Sequence, residues 1–244
     1  MIDTDIQKYL KEYFWLLKAF EYIIIYSIIA IVLYSYVTAH SIRPPTTLFT
    51  PIDHSIPFIS AFAIFYVFIF YPFLIYSLAY FWMIRTEKSD QLFVALLIMY
   101  LICYVIYIVF PVMMIRPSPQ ELPNDFLSRV MAKYYEKDPP LNCFPSLHAA
   151  LSTIIAYFWS KERPQYKYAF WVIAVLVMIS TLFVRQHVIV DEIAGFMVAI
   201  LSGYIAEKKI RPAEPIQKHY TLRMILGVGI ATLIVIISIA VYIP

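Results

Sequence analysis

Long uninterrupted apolar runs are the feature that most restricts the fold of this chain. A helix needs roughly 20 apolar residues to cross a bilayer. About seven runs approach this length: Ala19–Ala39, Pro57–Met83, Gln91–Ile115, Cys143–Ser160, Tyr168–Gln186, Asp191–Ala206 and Leu222–Ile243. The runs are continuous rather than alternating with a period of two, so a membrane β-barrel is excluded. With 62% hydrophobic and only 14% charged residues, the chain is predicted to be an all-α integral membrane protein, a bundle of about seven transmembrane helices.

The loops leave no room for a second domain, so residues 1–244 are predicted to form a single transmembrane domain. The longest loop, Arg116–Asn142, contains apolar residues at helical spacing. They are Phe126, Val130, Met131 and Tyr134. This pattern predicts a short helix at the membrane surface, with an irregular loop as the alternative.

Lysine and arginine predict the orientation of the chain in the membrane. Of the 19 basic residues, thirteen fall in the N-terminal segment and in the second, fourth and sixth loops, and six fall on the other side. Because cytoplasmic loops carry the excess of positive charge, we expect a multi-pass protein of the cell membrane with a cytoplasmic N-terminus. No basic tract predicts nucleic-acid binding, and the sequence leaves the oligomeric state open.

Three polar clusters fall at run ends on the predicted extracytoplasmic side. Arg116-Pro117 follows the third run, Asn142–His148 opens the fourth, and Arg185–Asp191 joins the fifth to the sixth. Ionisable residues are costly to place at such positions and are therefore candidates for function. We expect the three clusters to converge on one site at that face of the membrane.

The residue types in these clusters predict a phosphate site. His187 and Asp191 are four positions apart, so in a helical turn they share a face, and the carboxylate leaves the other ring nitrogen free to attack. His148 lies in the first turn of the fourth run, where free N–H groups and the helix dipole attract an anion. Arg116 and Arg185 provide fixed positive charge for phosphate oxygens.

Together these residues resemble the motifs of the type 2 phosphatidic acid phosphatase superfamily. The matching motifs are Arg116-Pro117, Pro145-Ser146-Leu147-His148 and His187-x3-Asp191, and the resemblance covers roughly the second to the sixth run. It implies a metal-independent enzyme without cofactors, a six-helix core and a lipid phosphate substrate.

The resemblance also implies a role for each matching residue. His187 would be the nucleophile that forms a phosphohistidine, and Asp191 would orient it. His148 would protonate the leaving alcohol. Ser146 and Arg116 would bind the phosphate.

Two departures from the family pattern leave the reaction open. The family lysine falls at Val109 and the arginine of the third motif at Thr181, whereas Arg185 could replace one lost charge. Such a sparser cage resembles inositol phosphorylceramide and sphingomyelin synthases, which transfer a head group to a lipid alcohol. The sequence favours a lipid phosphatase acting on phosphatidic, lysolipid or isoprenyl phosphates. A head-group phosphotransferase is the alternative, and an anion transporter and a metal hydrolase are further ones.

Other residues are assigned structural roles from the sequence. Asp53 is expected to be a polar residue of the outer loop between the first two runs, and Glu192 a packing or surface residue. Small residues recur every four positions in the fourth and sixth runs, including Gly195 and Gly203. This spacing predicts that the two helices pack closely.

Overall fold

A computed structural model of the chain describes residue 14 and residues 17–214, 220–241 and 243. The described residues form an all-helical bundle without strands, which confirms the predicted fold class. The helices are α1 (Leu17–Ala39), α2 (Ser60–Arg85), α3 (Ser89–Val109), α4 (Phe126–Lys137), α5 (Leu147–Glu162), α6 (Lys167–Phe183), α7 (Ile189–Lys209) and α8 (Tyr220–Ala240). The N-terminal Lys8 and Lys11, on which part of the orientation prediction depends, lie outside the described residues.

Six of these helices are long and apolar enough to cross a membrane: α1, α2, α3, α6, α7 and α8. The fourth apolar run forms α5, which has 16 residues. At a rise of 1.5 Å per residue it is about 24 Å long. This shorter helix is largely buried and packs against α2, α3, α6 and α7.

The third helix ends at Val109, six residues earlier than the predicted end at Ile115. Pro111 explains the difference, because the residue before a proline is disfavoured in the helical conformation. The chain continues in an extended form: the N–H of Thr46 donates to the carbonyl of Pro111 at 3.0 Å, and the N–H of Met113 donates to that of Thr46 at 2.8 Å. Arg116 thus lies on an extended segment beyond α3 rather than at the end of the helix.

The surface helix predicted in the longest loop is present as α4. The Asp125 side chain accepts a hydrogen bond from the N–H of Ser128 at 2.9 Å and caps its first turn. Val130 and Tyr134 are buried against the bundle, whereas Phe126 is 48% exposed and lies off this face. The helix covers one end of the bundle; its position relative to the membrane surface stays a prediction.

The close packing predicted from small residues is confirmed between α5 and α7. A Cβ atom at Gly195 would overlap the carbonyl oxygen of Ser146 and lie 3.0 Å from the Cβ of Ala149. Further along, a Cβ at Gly203 would lie 3.0 Å from the ring of Tyr157. These two glycines allow α7 to approach α5 closely along the turns of α7 that contain them.

Backbone hydrogen bonds hold the three polar clusters together at one end of the bundle. The N–H of Ser146 donates to the carbonyl of Asp191 at 3.0 Å, which joins the start of α5 to the first turn of α7. The N–H of Cys143 donates to the carbonyl of Val112 at 3.1 Å, which joins the same region to the segment after α3. The predicted convergence of the clusters on one face is therefore present.

Candidate active site

The turn between α6 and α7 presents His187 to the interior of the bundle. Arg185 has a left-handed backbone with φ of 53°. The N–H of Gln186 donates to the carbonyl of Thr181 at 2.8 Å, and the N–H of Arg185 to that of Leu182 at 3.1 Å. This pair of bonds is a Schellman motif, with an arginine where glycine is more common. It ends α6 and places His187 just before α7 begins.

His187 and Asp191 meet, although not on one face of a helix as predicted. His187 precedes α7, and Asp191 is the third residue of that helix. The Asp191 Oδ2 lies 3.4 Å from the His187 Nδ1 and accepts a second hydrogen bond from the N–H of Val188 at 3.0 Å. The carboxylate thus favours a proton on Nδ1 and leaves the lone pair of Nε2 available.

His148 is the direct neighbour of that free nitrogen. Its Nδ1 lies 3.1 Å from the His187 Nε2. Since Nε2 is the acceptor in the tautomer that Asp191 favours, His148 carries its proton on Nδ1. The rings of Tyr66 and Phe70 lie 4.9 and 5.1 Å from the His148 ring and hold it in place.

The surroundings of His187 shift its basicity. Burial lowers the pKa of His187, but the hydrogen bond to Asp191 and the negative charges of Glu192 and Asp191 outweigh burial, so its pKa lies above the ordinary value. Glu192 itself is buried, with 4% of its surface exposed, and its carboxyl group lies near the hydroxyls of Ser146 and Thr181. A surface role for Glu192 is therefore excluded.

Arg116 points into the site and is held on several sides. Its Nη1 donates to the main-chain carbonyl of Asp138 at 2.6 Å, and its Nη2 to the Asp138 carboxylate at 2.9 Å. Nη2 also donates to the side-chain oxygen of Gln186. The ring of Tyr135 lies 5.1 Å from the guanidinium carbon. The guanidinium is thus fixed next to His187, the residue after Gln186.

Arg185, the predicted replacement for the missing family cations, turns away from the histidines. Its Nη1 donates to the carbonyls of Asp53 and Ile56, both at 3.0 Å. Its guanidinium lies 5.4 Å from the ring of Phe49. The side chain therefore braces the loop between α1 and α2 instead of lining the cavity that contains His187.

Asp53 is more than a polar loop residue. It is buried, and its Oδ1 accepts a hydrogen bond from the N–H of Ile189 at 2.9 Å, at the start of α7. Its Oδ2 accepts another from the N–H of Thr50 at 2.7 Å. Burial raises the pKa of Asp53, but these hydrogen bonds and the charge of Arg185 lower it below the ordinary value. Asp53 thus ties the loop between α1 and α2 to the turn that carries His187.

The other predicted phosphate ligand, Ser146, is fully buried. Its hydroxyl accepts a hydrogen bond from the N–H of Ala149 at 3.2 Å and caps α5. It does not line the cavity, and neither do Val109 and Thr181, the two positions of the missing cations. Among the described residues, Arg116 is the one cationic side chain in the cavity wall.

The cavity has a polar head and an apolar body, with a volume of about 520 Å³. Arg116, Asp138, His148 and His187 line the head. The body runs between α1, α2, α3 and α5, with Ser238 of α8 at its edge. Tyr26 lines it 13 residues before the C-terminal end of α1, so the cavity reaches a depth of roughly 20 Å. This shape suits a molecule with a phosphate at one end and a long apolar chain.

Two residues of this site, Asp138 and Gln186, were not predicted from the sequence. Nothing near Asp138 marks a carboxylate that pairs with an arginine 22 positions earlier. Gln186 could have been noted as the neighbour of His187. Neither matches a motif, and only the folded chain brings them together.

The described residues contain no group of three or more His, Cys, Asp or Glu side chains placed to hold a metal ion. The sequence profile of the PAP2 superfamily matches residues 32–205, which include every motif residue of the site. An uncharacterized protein of Methanocaldococcus jannaschii, MJ0662, is 32% identical over 152 residues, or 62% of this chain. The match covers 60% of that relative, so the chain spans about three fifths of its length. No solved structure matches the chain.

Proposed function

The chain belongs to the PAP2 superfamily, and on that premise we propose that it is a membrane enzyme that cleaves a lipid phosphate ester through a phosphohistidine formed on His187. The observation that carries the proposal is the contact of the His187 Nε2 with the His148 Nδ1 at 3.1 Å, with Asp191 on the opposite side of the His187 ring. A nucleophile, its orienting carboxylate and a proton donor thus meet at the head of the cavity.

The residues divide the reaction into two steps. The His187 Nε2 forms a bond to phosphorus while the bond from phosphorus to the lipid oxygen breaks. For this step His148 carries a proton on both ring nitrogens, and it becomes neutral when it gives its Nδ1 proton to the leaving oxygen. In the second step an acceptor O–H attacks the phosphohistidine and gives its proton to His148. The P–N bond then breaks and His187 is restored. Arg116 stabilises the charge that develops on the phosphoryl oxygens.

The cavity supports a lipid as the substrate. Its polar head holds the histidines and Arg116, and its apolar body extends along α1 and α2 towards the middle of the bundle. Ile31 of α1 lines the body and is 65% exposed. A lipid chain can therefore enter from the side, between helices, while its phosphate reaches His187.

The acceptor is either water or a lipid alcohol, and the geometry favours the alcohol. Water was favoured by the sequence partly because Arg185 could restore a charge for a doubly charged monoester, but Arg185 points elsewhere. Water was also favoured because nothing visible in the sequence excluded it. His187, however, is only 6% exposed beneath α4. A transferase needs a buried site of this kind, so we place the head-group phosphotransferase ahead of the phosphatase.

The side of the membrane follows from charge. The end of the bundle that carries the site is the end with six basic residues, whereas the other end carries the ten described members of the remaining thirteen. The other three, Lys8, Lys11 and Lys218, lie outside the described residues. By the positive-inside rule, the site faces the extracytoplasmic side. The substrates are then lipids of the outer leaflet.

The deciding experiment offers three lipids to the purified protein in lipid vesicles with excess chelator. They are a phosphodiester phospholipid with a labelled head group, a lipid alcohol, and a lipid phosphate monoester. We expect a new phospholipid that carries the labelled head group, and no product from the His187→Ala variant. Release of inorganic phosphate from the monoester without head-group transfer would favour the phosphatase. Turnover retained in His187→Ala would contradict the phosphohistidine.

A further inference from the structure

The guanidinium of Arg116 binds the carboxylate of Asp138 and also lines the cavity. An arginine has five N–H donors. The Nη groups bind the carbonyl and carboxylate of Asp138 and the amide oxygen of Gln186. Nε has no hydrogen-bond partner in the part of the chain that the structure describes. Nε is buried, so a phosphate oxygen that enters the cavity approaches the part of the Arg116 guanidinium that lines it, while Asp138 keeps its own contact.

Asp138 also lines the cavity. Its side chain is 24% exposed, compared with 8% for Arg116. A phosphate bound at Arg116 would consequently lie close to a carboxylate as well as to the guanidinium. The repulsion of the carboxylate reduces the attraction that the guanidinium exerts on the outer phosphate oxygens.

The remaining wall of the cavity contributes no second lysine or arginine among the described residues. The positions that carry lysine and arginine in the family pattern are Val109 and Thr181 here, and Arg185 binds the loop of Asp53. The charge balance at the phosphate therefore depends on the ion pair of Arg116 and Asp138.

We propose that Asp138 is a specificity-determining residue, which restricts the cavity to phosphate groups with a single negative charge. A phosphodiester carries one charge, whereas a phosphate monoester carries close to two at neutral pH. Only the second charge of the monoester lacks a compensating cation. The inference rests on the proposed function, because it takes a lipid phosphate as the occupant of the cavity, and it adds the residue that selects among such lipids.

The chain offers matched substitutions for a test. Asp138→Asn keeps the shape of the side chain, and the main-chain carbonyl of residue 138 continues to hold Nη1 of Arg116. Gln186→Glu adds a negative charge on the other side of the same guanidinium. Glu136→Gln removes an exposed charge on α4 two residues before Asp138 and serves as the control.

The measurement is lipid binding by titration calorimetry, with every variant made in the His187→Ala background to prevent turnover. The two probes carry the same acyl chain and differ in the phosphate group. Lysophosphatidic acid is a monoester and lysophosphatidylglycerol is a diester. We expect Asp138→Asn to tighten binding of the monoester relative to the diester by about tenfold or more. Gln186→Glu should shift the ratio the opposite way, and Glu136→Gln should leave it unchanged.

An equal ratio in Asp138→Asn and Glu136→Gln overturns the inference, and so does failure of both lipids to bind. The proposed function fails separately. If the ratio moves as expected but the protein with His187 intact neither transfers nor hydrolyses any lipid phosphate, charge selection stands and the enzymatic proposal does not. If turnover is found and the ratio does not move, the opposite conclusion holds.

Discussion

The Nδ1 of His148 lies 3.1 Å from the Nε2 of His187, although 39 positions separate the two residues in the sequence. They belong to different parts of the bundle, the first turn of α5 and the turn before α7. In the proposed reaction, the attacking nitrogen of His187 and the acid His148 act on opposite sides of phosphorus. The two rings must therefore move apart when a phosphoryl group binds. Because α5 and α7 are packed tightly at Gly195, the movement falls to the side chains.

Gly195→Ala should remove activity and stability together. The added Cβ would overlap the carbonyl oxygen of Ser146, push the start of α5 away from α7 and separate His148 from His187. Overpacking of this kind costs about 1–3 kcal/mol. Thermal unfolding in detergent and the rate of turnover measure the two effects.

The matched control is Gly229→Ala in α8, where a new Cβ would meet no atom within 4 Å. We expect full activity and unchanged or slightly increased stability, since alanine favours a helix over glycine by up to about 1 kcal/mol. Equal behaviour of the two variants would contradict the role given to Gly195.

Substitution of Arg116 and of Arg185 should separate an effect on phosphate binding from an effect on folding. Arg116→Met removes the cation that lines the cavity, and kcat/KM should fall by about 100-fold or more. The melting temperature is measured as a second readout. The same substitution also removes the ion-pair partner of Asp138 and should therefore lower stability.

Arg185→Met should reduce stability more than it reduces kcat/KM. It removes two hydrogen bonds to the carbonyls of Asp53 and Ile56, which costs about 1–3 kcal/mol of stability for a charged donor. The loss of kcat/KM should be much smaller than in Arg116→Met. A comparable loss of kcat/KM with normal stability would show that Arg185 does bind the phosphate.

The rate should depend on pH through His187. Its pKa is raised, mainly because the hydrogen bond to Asp191 and nearby negative charges outweigh burial. Protonated His187 cannot attack, so kcat/KM should fall as the pH drops through a value above the ordinary histidine pKa of about 6.5. A phosphodiester donor does not titrate in this pH range. The fall of kcat/KM at low pH, the acidic limb of the profile, therefore reports a group of the enzyme and not of the substrate.

Asp191→Asn tests the same assignment. Removal of the charge should move the acidic limb to lower pH and reduce the plateau by about 100-fold or more, because the proton on Nδ1 is no longer fixed. An unmoved limb would mean that another group controls the profile.

Cysteine labelling should establish the side of the membrane. The native Cys103 and Cys143 are buried and free, so they should react slowly with a membrane-impermeant maleimide. Ser118→Cys and Lys208→Cys introduce exposed thiols at opposite ends of the bundle. In intact cells we expect Ser118→Cys to be labelled and Lys208→Cys to be protected. The reverse pattern would place the site in the cytoplasm.

The sequence was most informative where the chemistry is local. The apolar runs predicted the helices, and the small residues on the sixth run predicted the close packing at Gly195. His187 and Asp191 were paired for their spacing. They do meet, yet through the turn before α7 and the third residue of that helix rather than along one helical face.

Long-range contacts were beyond the sequence. Arg116 and Asp138 meet because Pro111 ends α3 early and the extended segment beyond it runs alongside residues 140–143. The direction of the Arg185 side chain depends on the Schellman turn and on the loop that contains Asp53. Neither feature can be recognised from the sequence around residue 185. The assignment of Arg185 as a phosphate ligand from its position next to the histidine motif therefore could not be checked without the folded chain.

The shortness of α5 has a consequence for the membrane around the protein. Its 16 residues span about 24 Å, whereas the hydrocarbon core of a bilayer is about 30 Å thick. His148 lies in the first turn of this helix, so the proposed reacting groups lie some way below the level of the surrounding head groups unless the bilayer thins locally. The mismatch draws a lipid phosphate down into the protein or draws the outer leaflet inward, and both cost free energy that depends on acyl-chain length. Turnover should accordingly be faster in vesicles of short-chain lipids than in those of long-chain lipids, which makes bilayer thickness a control on the enzyme.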